Sequence, residues 1–349
     1  MIYEGDKDIF SPFIGEILDG NIYALLAYYN VLCKISASSG SMTVVKEFED
    51  EQGDVLYVVG KDIKGELILV PHTGRKAKIF DEKQVLKREI GLENVQRVNY
   101  NRLHTYGNKC FFLPIFRNDI AELDIETENF EYHKIPVEKL GLKSETEFSV
   151  VSSYAVGERV FLMCSSPNML IEFNCKSREF TLWPDKQNWM SMCYSGGYYW
   201  VGQSDNSIIR FFGENFKDGE LVKLPNGYRA SEILPMSGCR CVAGKVLFYS
   251  YNANMILRID EKTAVCDRLN LPDEDFKCKD DKLRNGPAII GVGENIIVFY
   301  SKRSGELIVS NVLSNTYERI KLKPDESIKR IVASNEVADS SLLSLLKTL

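Results

Sequence analysis

Residues 244–272 read GKVLFYSYNANMILRIDEKTAVCDRLNLP, and residues 107–136 read GNKCFFLPIFRNDIAELDIETENFEYHKIP. Each stretch opens at a glycine, runs through an apolar segment to a turn with asparagine, continues through a second apolar segment, and ends at a proline. Asparagine and glycine tolerate the left-handed backbone of tight hairpins, and proline stops strand pairing because it lacks an N–H donor. Both stretches therefore predict the same unit of short antiparallel strands.

This unit occurs seven times along the chain. A further apolar segment precedes each opening glycine, as in residues 148–156 (FSVVSSYAV) and 288–292 (AIIGV). Four short strands in every 40 to 50 or so residues, without a periodic helical stretch, are typical of a propeller blade. We predict an all-β fold, a seven-bladed β-propeller with four antiparallel strands per blade. The opening glycines are Gly20, Gly65, Gly107, Gly157, Gly197, Gly244 and Gly293.

The repeats predict one domain over residues 1–334, with units that start near residues 10, 54, 95, 147, 189, 229 and 286. Residues 328–332 (IKRIV) resemble the first strand of an eighth unit that has no continuation. Residues 335–349 form a C-terminal tail, which we interpret as a short helix or a closing element.

Composition narrows the classes of partner. The chain has 349 residues, of which 44% are hydrophobic, enough to bury a core. Its net charge of −6 is the opposite of what nucleic acid or an anionic membrane attracts, so we expect neither as a partner. A closed ring of blades exposes few strand edges, so we expect a monomer.

The sequence also predicts an intracellular protein. Its first residues lack a basic segment followed by an apolar one, as a signal peptide would have, and no stretch approaches the roughly 20 apolar residues that span a bilayer. The nine cysteines are odd in number, and several lie in apolar strand-like segments, a pattern of buried reduced thiols. We therefore expect a cytoplasmic location.

Residues 107–136 and 244–272 resemble the repeats of bacterial kelch-type and streptogramin-lyase-type propellers, and the likeness extends over residues 10–324. The lyases use histidine and glutamate around a metal at the channel mouth. None of His72, His104 and His133 matches that motif, so the resemblance assigns no catalytic residue and we expect no metal or cofactor. These families include enzymes, sugar sensors and interaction scaffolds.

Candidate binding residues lie where the repeat places turns between second and third strands and loops between blades, because both fall on one face of the ring. Aromatic and arginine side chains there suit stacking on a sugar or anchoring a protein partner. The alternative is that the aromatics fill gaps between blades and the arginines pair with acids. The candidates are Arg117, Trp189, Tyr251, Arg97, Phe116, Arg75, Tyr29 and Arg303.

The leading functional hypothesis is a non-catalytic recognition or scaffold propeller that binds a protein or a glycan-like ligand on the loop-rich face and channel mouth. The second is a lyase or hydrolase at the same mouth, which requires at least two carboxylates or a histidine within hydrogen-bond reach. No spacing makes any pair special among the candidate carboxylates in or near first strands, which are Glu16, Asp54, Glu147 and Glu232.

Overall fold

A computed structural model describes residues 12–26, 29–48, 51, 56–92, 100–142, 147–230, 236–250, 253–276 and 286–333. Seven antiparallel four-stranded sheets are arranged in a ring, which confirms the predicted seven-bladed propeller. Within each blade the strands follow chain order, from an inner first strand at the axis to an outer fourth strand. In the described part of the chain no helix has both the length and the hydropathy to cross a membrane.

The strands are as follows. Blade 1 contains β1 (Pro12–Leu18), β2 (Asn21–Leu26), β3 (Val31–Ser36) and β4 (Ser41–Glu47); blade 2 contains β5 (Tyr57–Lys61), β6 (Leu67–Pro71), β7 (Lys76–Phe80) and β8 (Leu86–Gly91). Blade 3 contains β9 (Tyr100–Tyr106), β10 (Lys109–Pro114), β11 (Asp119–Asp124) and β12 (Phe130–Lys134); blade 4 contains β13 (Ser149–Val156), β14 (Arg159–Ser166), β15 (Asn168–Asn174) and β16 (Phe180–Trp183). Blade 5 contains β17 (Trp189–Ser195), β18 (Tyr198–Gln203), β19 (Ile208–Phe212) and β20 (Glu220–Leu221); blade 6 contains β21 (Gly238–Val242), β22 (Lys245–Tyr249), β23 (Leu257–Asp260) and β24 (Cys266–Arg268). Blade 7 contains β25 (Ala288–Val292), β26 (Ile296–Ser301), β27 (Glu306–Asn311) and β28 (Thr316–Lys321), and a last short strand is β29 (Lys323–Pro324). Two 3₁₀ helices cover Val137–Leu140 and Asp273–Asp275, and an α-helix covers 326–333.

The antiparallel order divides the connections between two faces of the ring. Turns between first and second strands and between third and fourth strands lie on one face, which we call the hairpin face. Turns between second and third strands and the loops that lead into the next blade lie on the other, which we call the loop face. The predicted binding residues that the structure describes therefore belong to connections of the loop face or to strand ends beside it.

The chemistry of the turns explains the repeat. Six of the seven opening glycines have a positive φ, as at Gly65 (+82°) and Gly197 (+84°), where a side chain would be strained. Five blades carry an asparagine in the next turn, and the expectation that it adopts the left-handed conformation is confirmed at Asn30 and Asn206. It is wrong at Asn118, Asn168 and Asn254, none of which has a positive φ.

Two of these asparagines instead link their turn to an inter-blade loop by side-chain hydrogen bonds. The Asn168 Nδ2 donates to Asn188 Oδ1 over 2.9 Å, and the Asn188 backbone N–H donates to Asn168 Oδ1 over 2.7 Å. The Asn254 Nδ2 donates to the Gly227 carbonyl over 2.7 Å. These side chains satisfy backbone groups that would otherwise lack partners, so asparagine recurs there for structural reasons.

Five blades close the hairpin between their third and fourth strands with the same side-chain cap. In blade 3 the Asp124 Oδ1 accepts hydrogen bonds from the backbone N–H groups of Glu126 and Thr127, at 2.9 and 3.0 Å. Such turns use the short oxygen-bearing side chains of Asp and Asn, which explains the polar residue at or directly after the end of the third strand in these five blades. The capping residues are Asp81, Asp124, Asn174, Asp260 and Asn311.

The Asp124 cap predicts a measurable dependence of stability on pH. A hydrogen bond from Lys109, with those from the turn, lowers the pKa of Asp124 to about 2. Because this pKa lies below the unfolded value of about 3.9, the stabilisation is present above pH 4 or so and is lost as pH falls through the folded pKa. As pH falls from about 4 to the folded pKa, we expect the free energy of unfolding to decrease by roughly 1 kcal/mol more in wild type than in Asp124→Asn, a value that allows for screening by solvent. Urea unfolding at several pH values measures both decreases. Equal losses would contradict this role.

The core is divided among the interfaces between blades. Each of the seven interfaces holds one cluster of buried apolar side chains in the described part of the chain. Cys33, Cys110, Cys164 and Cys193 are at most 2% exposed, as predicted for buried thiols. Since each blade contributes to two clusters, a cavity in one of them weakens the contact between two blades.

The ring closes through the end of the chain. The strand β29 pairs in parallel with β4 of blade 1, and the helix 326–333 buries Ile328 and Val332 in the cluster between blades 1 and 7. The predicted strand over residues 328–332 is therefore wrong. A helical spacing of four residues separates the two buried side chains, and Asp325 Oδ1 accepts the Ile328 N–H over 2.9 Å as an N-cap. The predicted tail, residues 335–349, lies outside the described residues.

Candidate functional site

The structure places the predicted binding residues in different environments. Arg97 and Tyr251 lie outside the described residues. Trp189 is only 4% exposed and packs against Phe211 and Phe216, with ring centroids 5.5 and 5.2 Å away. Trp189 therefore fills the interface between blades 4 and 5, as the alternative interpretation has it, and is unavailable as a surface anchor.

Tyr29 and Arg303 lie at connections of the loop face but make structural contacts. Tyr29 is half-buried and packs against the cluster between blades 1 and 7. Arg303 is exposed, and its Nη1 donates to the Glu274 carbonyl over 2.7 Å. This bond links the second turn of blade 7 to the loop that enters the blade.

Phe116 is the most exposed of the described aromatic candidates. It lies on the loop face in the turn between β10 and β11, and 60% of its surface is accessible. The neighbouring Arg117 donates from Nε and Nη2 to the Asp119 carboxylate, at 2.8 and 2.5 Å. Arg117 therefore does not project freely into solvent, but fixes the turn that presents Phe116.

The support beneath this turn is buried. Tyr100 donates its hydroxyl to Asp119 Oδ1 over 2.6 Å, and the Arg117 guanidinium lies 5.1 Å from the Tyr100 ring centroid. Burial and the Asp119 carboxylate raise the pKa of Tyr100, so its hydroxyl remains a donor. Phe116 is thus an exposed aromatic side chain on a turn held by a bidentate ion pair and a buried hydroxyl.

Arg75 lines a groove between blades 1 and 2, which we call the blade 1–2 groove. It has a volume of about 800 Å³. Arg75 is exposed at its edge, and Phe48 and Leu56 contribute apolar surface. The charged residues that line it are Lys46, Glu47, Glu51, Arg75, Lys76, Lys78 and Glu89.

A buried lysine holds the groove together. The Lys78 side chain is 4% exposed, and its Nζ lies 2.8 Å from Glu51 and also bonds Glu89. Tyr57 donates its hydroxyl to the same Glu51 carboxylate, at 2.7 and 2.5 Å. The ammonium also lies 5.2 Å from the ring centroid of Phe48. One cation is thereby shared by two carboxylates and two aromatic rings.

The protonation states in this network disfavour acid–base catalysis. The hydrogen bond from Lys78 lowers the pKa of Glu89, which keeps it ionised and unsuited as a general acid at neutral pH. Burial and the bond to Glu51 raise the pKa of Tyr57, which keeps it protonated and unsuited as a base. The two carboxylates do converge as a hydrolase would need, but each is bonded to Lys78.

Two of the four carboxylates predicted from the sequence lie in the described part of the chain, and these two are in separate places. Glu16 lies on β1 and pairs with Lys61 over 3.9 Å, and Glu147 is exposed on the loop into blade 4. Asp54 and Glu232 lie outside the described residues. Among the described residues, these candidates show no pair of carboxylates at hydrogen-bond distance.

The three histidines occupy separate places. His72 Nδ1 lies 3.1 Å from the Tyr100 carbonyl, and His104 Nε2 lies 2.9 Å from the Gly157 carbonyl. Burial lowers the pKa of His104. His133 Nε2 lies 2.7 Å from Glu122 Oε2. No two histidines share a site.

One group of possible metal ligands occurs in blade 3. A ligand atom from each of Glu122, Glu131 and His133 falls within 4.8 Å of the others. However, the Arg178 Nε and Nη2 occupy both oxygens of Glu122, at 2.6 and 2.7 Å. A metal would have to displace this bidentate ion pair between blades 3 and 4, so we interpret the group as structural.

Sequence reasoning missed three cations near the axis. Lys61, Arg102 and Arg240 lie on the inner strands of blades 2, 3 and 6. The sequence contains a signal for them, because charged residues are rare in those strands. The close pair Cys239 and Cys241 lies on β21, and both thiols interact with Cys193, as expected if they share one face of the strand.

Comparisons with known proteins identify the fold. No family model and no curated protein matches the chain. A catalytically inactive histidine variant of virginiamycin B lyase from Staphylococcus aureus, with quinupristin, is similar with a TM-score of 0.61 and 16% identity, over 84% of this chain and 92% of that one. The similarity lies in the architecture. At this identity it shows a seven-bladed propeller and no activity.

Two other solved structures show how widely this architecture is used. A chain of the Mitotic Checkpoint Complex has a TM-score of 0.59 and 12% identity, over 88% of this chain and 91% of that one. The computationally designed Ika8 protein has a TM-score of 0.56 and 12% identity, over 90% of this chain and 87% of that one. An enzyme, a member of an assembly and a designed protein thus share the fold.

Proposed function

We propose that the protein is a non-catalytic recognition propeller that binds a protein partner through its loop face, with Phe116 as an anchor. The observation that carries this proposal is the 60% exposure of Phe116 on a turn fixed by Arg117, Asp119 and Tyr100. Large aromatic side chains are enriched in interfaces, and a rigid anchor loses little conformational entropy on binding.

Other exposed charges on the same face suit the rim of such an interface. Arg75 lies at the edge of the blade 1–2 groove, and Arg303 lies on blade 7. A chain of similar fold in the Mitotic Checkpoint Complex gives a precedent for this use of the architecture. The network of Lys78, Glu51 and Glu89 argues against the lyase or hydrolase alternative, because both carboxylates are already bonded to Lys78.

The proposal predicts that Phe116→Ala weakens partner binding while leaving the fold unchanged. Loss of a central aromatic anchor typically costs about 2 kcal/mol or more, which is roughly a thirtyfold rise in Kd. Partners would be captured by crosslinking with the wild-type protein, identified, and titrated against each variant. Thermal unfolding of each variant would check the fold.

The matched control is Phe212→Ala. Phe212 is 75% exposed but lies at the hairpin-face end of β19, so this variant should bind as wild type does. Equal Kd values for wild type and both variants would exclude Phe116 as the anchor. Binding of an oligosaccharide that is lost in Phe116→Ala, without any protein partner, would support a glycan-like ligand instead.

A further inference from the structure

A second groove lies between the outer strands of blades 6 and 7, and we call it the blade 6–7 groove. Its volume is about 710 Å³, within the range of roughly 300–1,000 Å³ that is typical of pockets for small ligands. One wall is formed by residues 268–274, which follow from the end of β24, and the other by Asn315, Tyr317 and Arg319 of blade 7. None of the described binding candidates lines this groove.

The two walls are joined by the side chain of one asparagine. The Asn315 Oδ1 accepts the Asn270 N–H over 2.8 Å, and the Asn315 Nδ2 donates to the Arg268 carbonyl over 3.2 Å. The Arg268 side chain is oriented in turn, because its Nη2 donates to the Leu271 carbonyl over 3.2 Å. The polar groups of the groove are therefore positioned before a ligand binds, which lowers the entropic cost of binding.

Two ion pairs line the groove. Arg268 bonds Asp273 on one wall, and Arg319 of blade 7 bonds Glu274 of the opposite wall. Arg319 also lies 3.6 Å from Glu306. The four side chains of the two pairs are between 34% and 54% exposed, so a ligand in the groove can reach them.

These pairs place donors and acceptors side by side. A guanidinium group only donates hydrogen bonds, and an ionised carboxylate only accepts them. An anionic ligand would meet Asp273 and Glu274 beside the two arginines, and a cationic ligand would meet the arginines beside the acids, so neither charge is favoured. A hydroxyl group both donates and accepts, so one hydroxyl can bond both members of a pair. Adjacent hydroxyl groups on a sugar ring fit this arrangement.

Apolar surface completes the groove. Leu271 is 2% exposed and Pro272 is buried. Tyr317 is half-buried and packs against the interface cluster that contains Leu271. A tyrosine combines an apolar ring with a polar hydroxyl, and a sugar likewise has C–H faces and a polar edge. The groove therefore offers both kinds of contact that a carbohydrate makes.

We propose that the blade 6–7 groove binds a neutral carbohydrate, whose hydroxyl groups bridge Arg268 with Asp273 and Arg319 with Glu274. The groove lies between blades 6 and 7, whereas Phe116 belongs to blade 3, so this site is independent of the loop-face anchor.

Isothermal titration calorimetry with maltotriose, cellotriose, xylotriose and tri-N-acetylchitotriose tests this proposal. We expect wild type to bind at least one of them, and Asp273→Ala and Arg319→Ala to bind it about ten times more weakly or worse, as for lost hydrogen bonds to a charged group. Trigalacturonic acid, which carries carboxylates on the same kind of ring, should bind more weakly than the neutral sugar. Tighter binding of this acid than of every neutral sugar would identify an anion site and overturn the proposal.

Glu128→Ala is the matched control, because Glu128 is 50% exposed and pairs with Arg88 over 3.1 Å in an outer turn of blade 3. It should bind the sugar as wild type does. The proposal is overturned if wild type binds none of the neutral sugars at concentrations up to about 10 mM, or if both groove variants, shown to be folded by thermal unfolding, match Glu128→Ala. Sugar binding that is lost in Phe116→Ala but kept in both groove variants would place the carbohydrate on the loop face, which also overturns it.

Discussion

Replacing Phe216 with alanine is expected to lower the free energy of unfolding by about 3–5 kcal/mol. In blade 5 the outer strand β20 has only two residues, and the preceding segment 213–219 places Phe216 in the cluster between blades 4 and 5, where it is 1% exposed. Five rings surround it at centroid distances of 5.1 to 6.1 Å, those of Phe161, Trp183, Trp189, Tyr199 and Phe211. Removal of the ring leaves a cavity that rigid aromatic neighbours cannot readily fill.

Equilibrium unfolding in urea measures this loss, and Phe212→Ala is its control. Phe212 is four residues away but 75% exposed, so its loss should change stability by no more than about 0.5 kcal/mol. Similar losses in the two variants would show that segment 213–219 does not seal the interface. The backbone at Phe216 has a φ of +49°, so Phe216→Leu, which keeps apolar volume, helps to separate cavity cost from backbone strain.

The contrast between Phe216 and Phe212 shows where prediction from sequence ends. The blades could be predicted because their turns require particular residues, such as Gly65 at a positive φ and Asp124 as a cap. Those requirements are local and recur in most units. Nothing local distinguishes two phenylalanines in the same stretch, because burial depends on the neighbouring blade.

The candidate site was only partly predictable for the same reason. The exposed position of Phe116 could be predicted because its turn follows from the repeat. Trp189 could not be assigned correctly, because an aromatic side chain at a strand end can face solvent or the next blade. Glu51, Lys78 and Glu89 come from three separate elements, so their convergence is visible only in three dimensions. The helix 326–333 had a signal, the N-cap Asp325, that the apolar pattern of residues 328–332 obscured.

Lys78→Met is expected to destabilise the protein by about 3 kcal/mol at neutral pH, because it leaves two partly buried carboxylates without their shared cation. Methionine keeps most of the apolar stem against Phe48 and Tyr57, so the loss reports mainly on charge. Glu51 and Glu89 are 21% and 34% exposed, so water can partly solvate the carboxylates once the lysine is removed. We therefore expect a loss at the low end of the range found when one partner of a buried ion pair is removed.

The dependence on pH gives this prediction a distinctive signature. Lys78 lowers the pKa of Glu89 in the folded state, so its contribution is present above the unfolded pKa of about 4.3 and is lost as pH falls through the lower folded value. The difference between wild type and Lys78→Met should therefore shrink below roughly pH 4. Lys76→Met is the control, since Lys76 also bonds Glu89, over 3.1 Å, but is 53% exposed and should contribute at most about 1 kcal/mol. If the two variants lose equal stability at neutral pH, the burial of Lys78 is not what makes the blade 1–2 groove rigid.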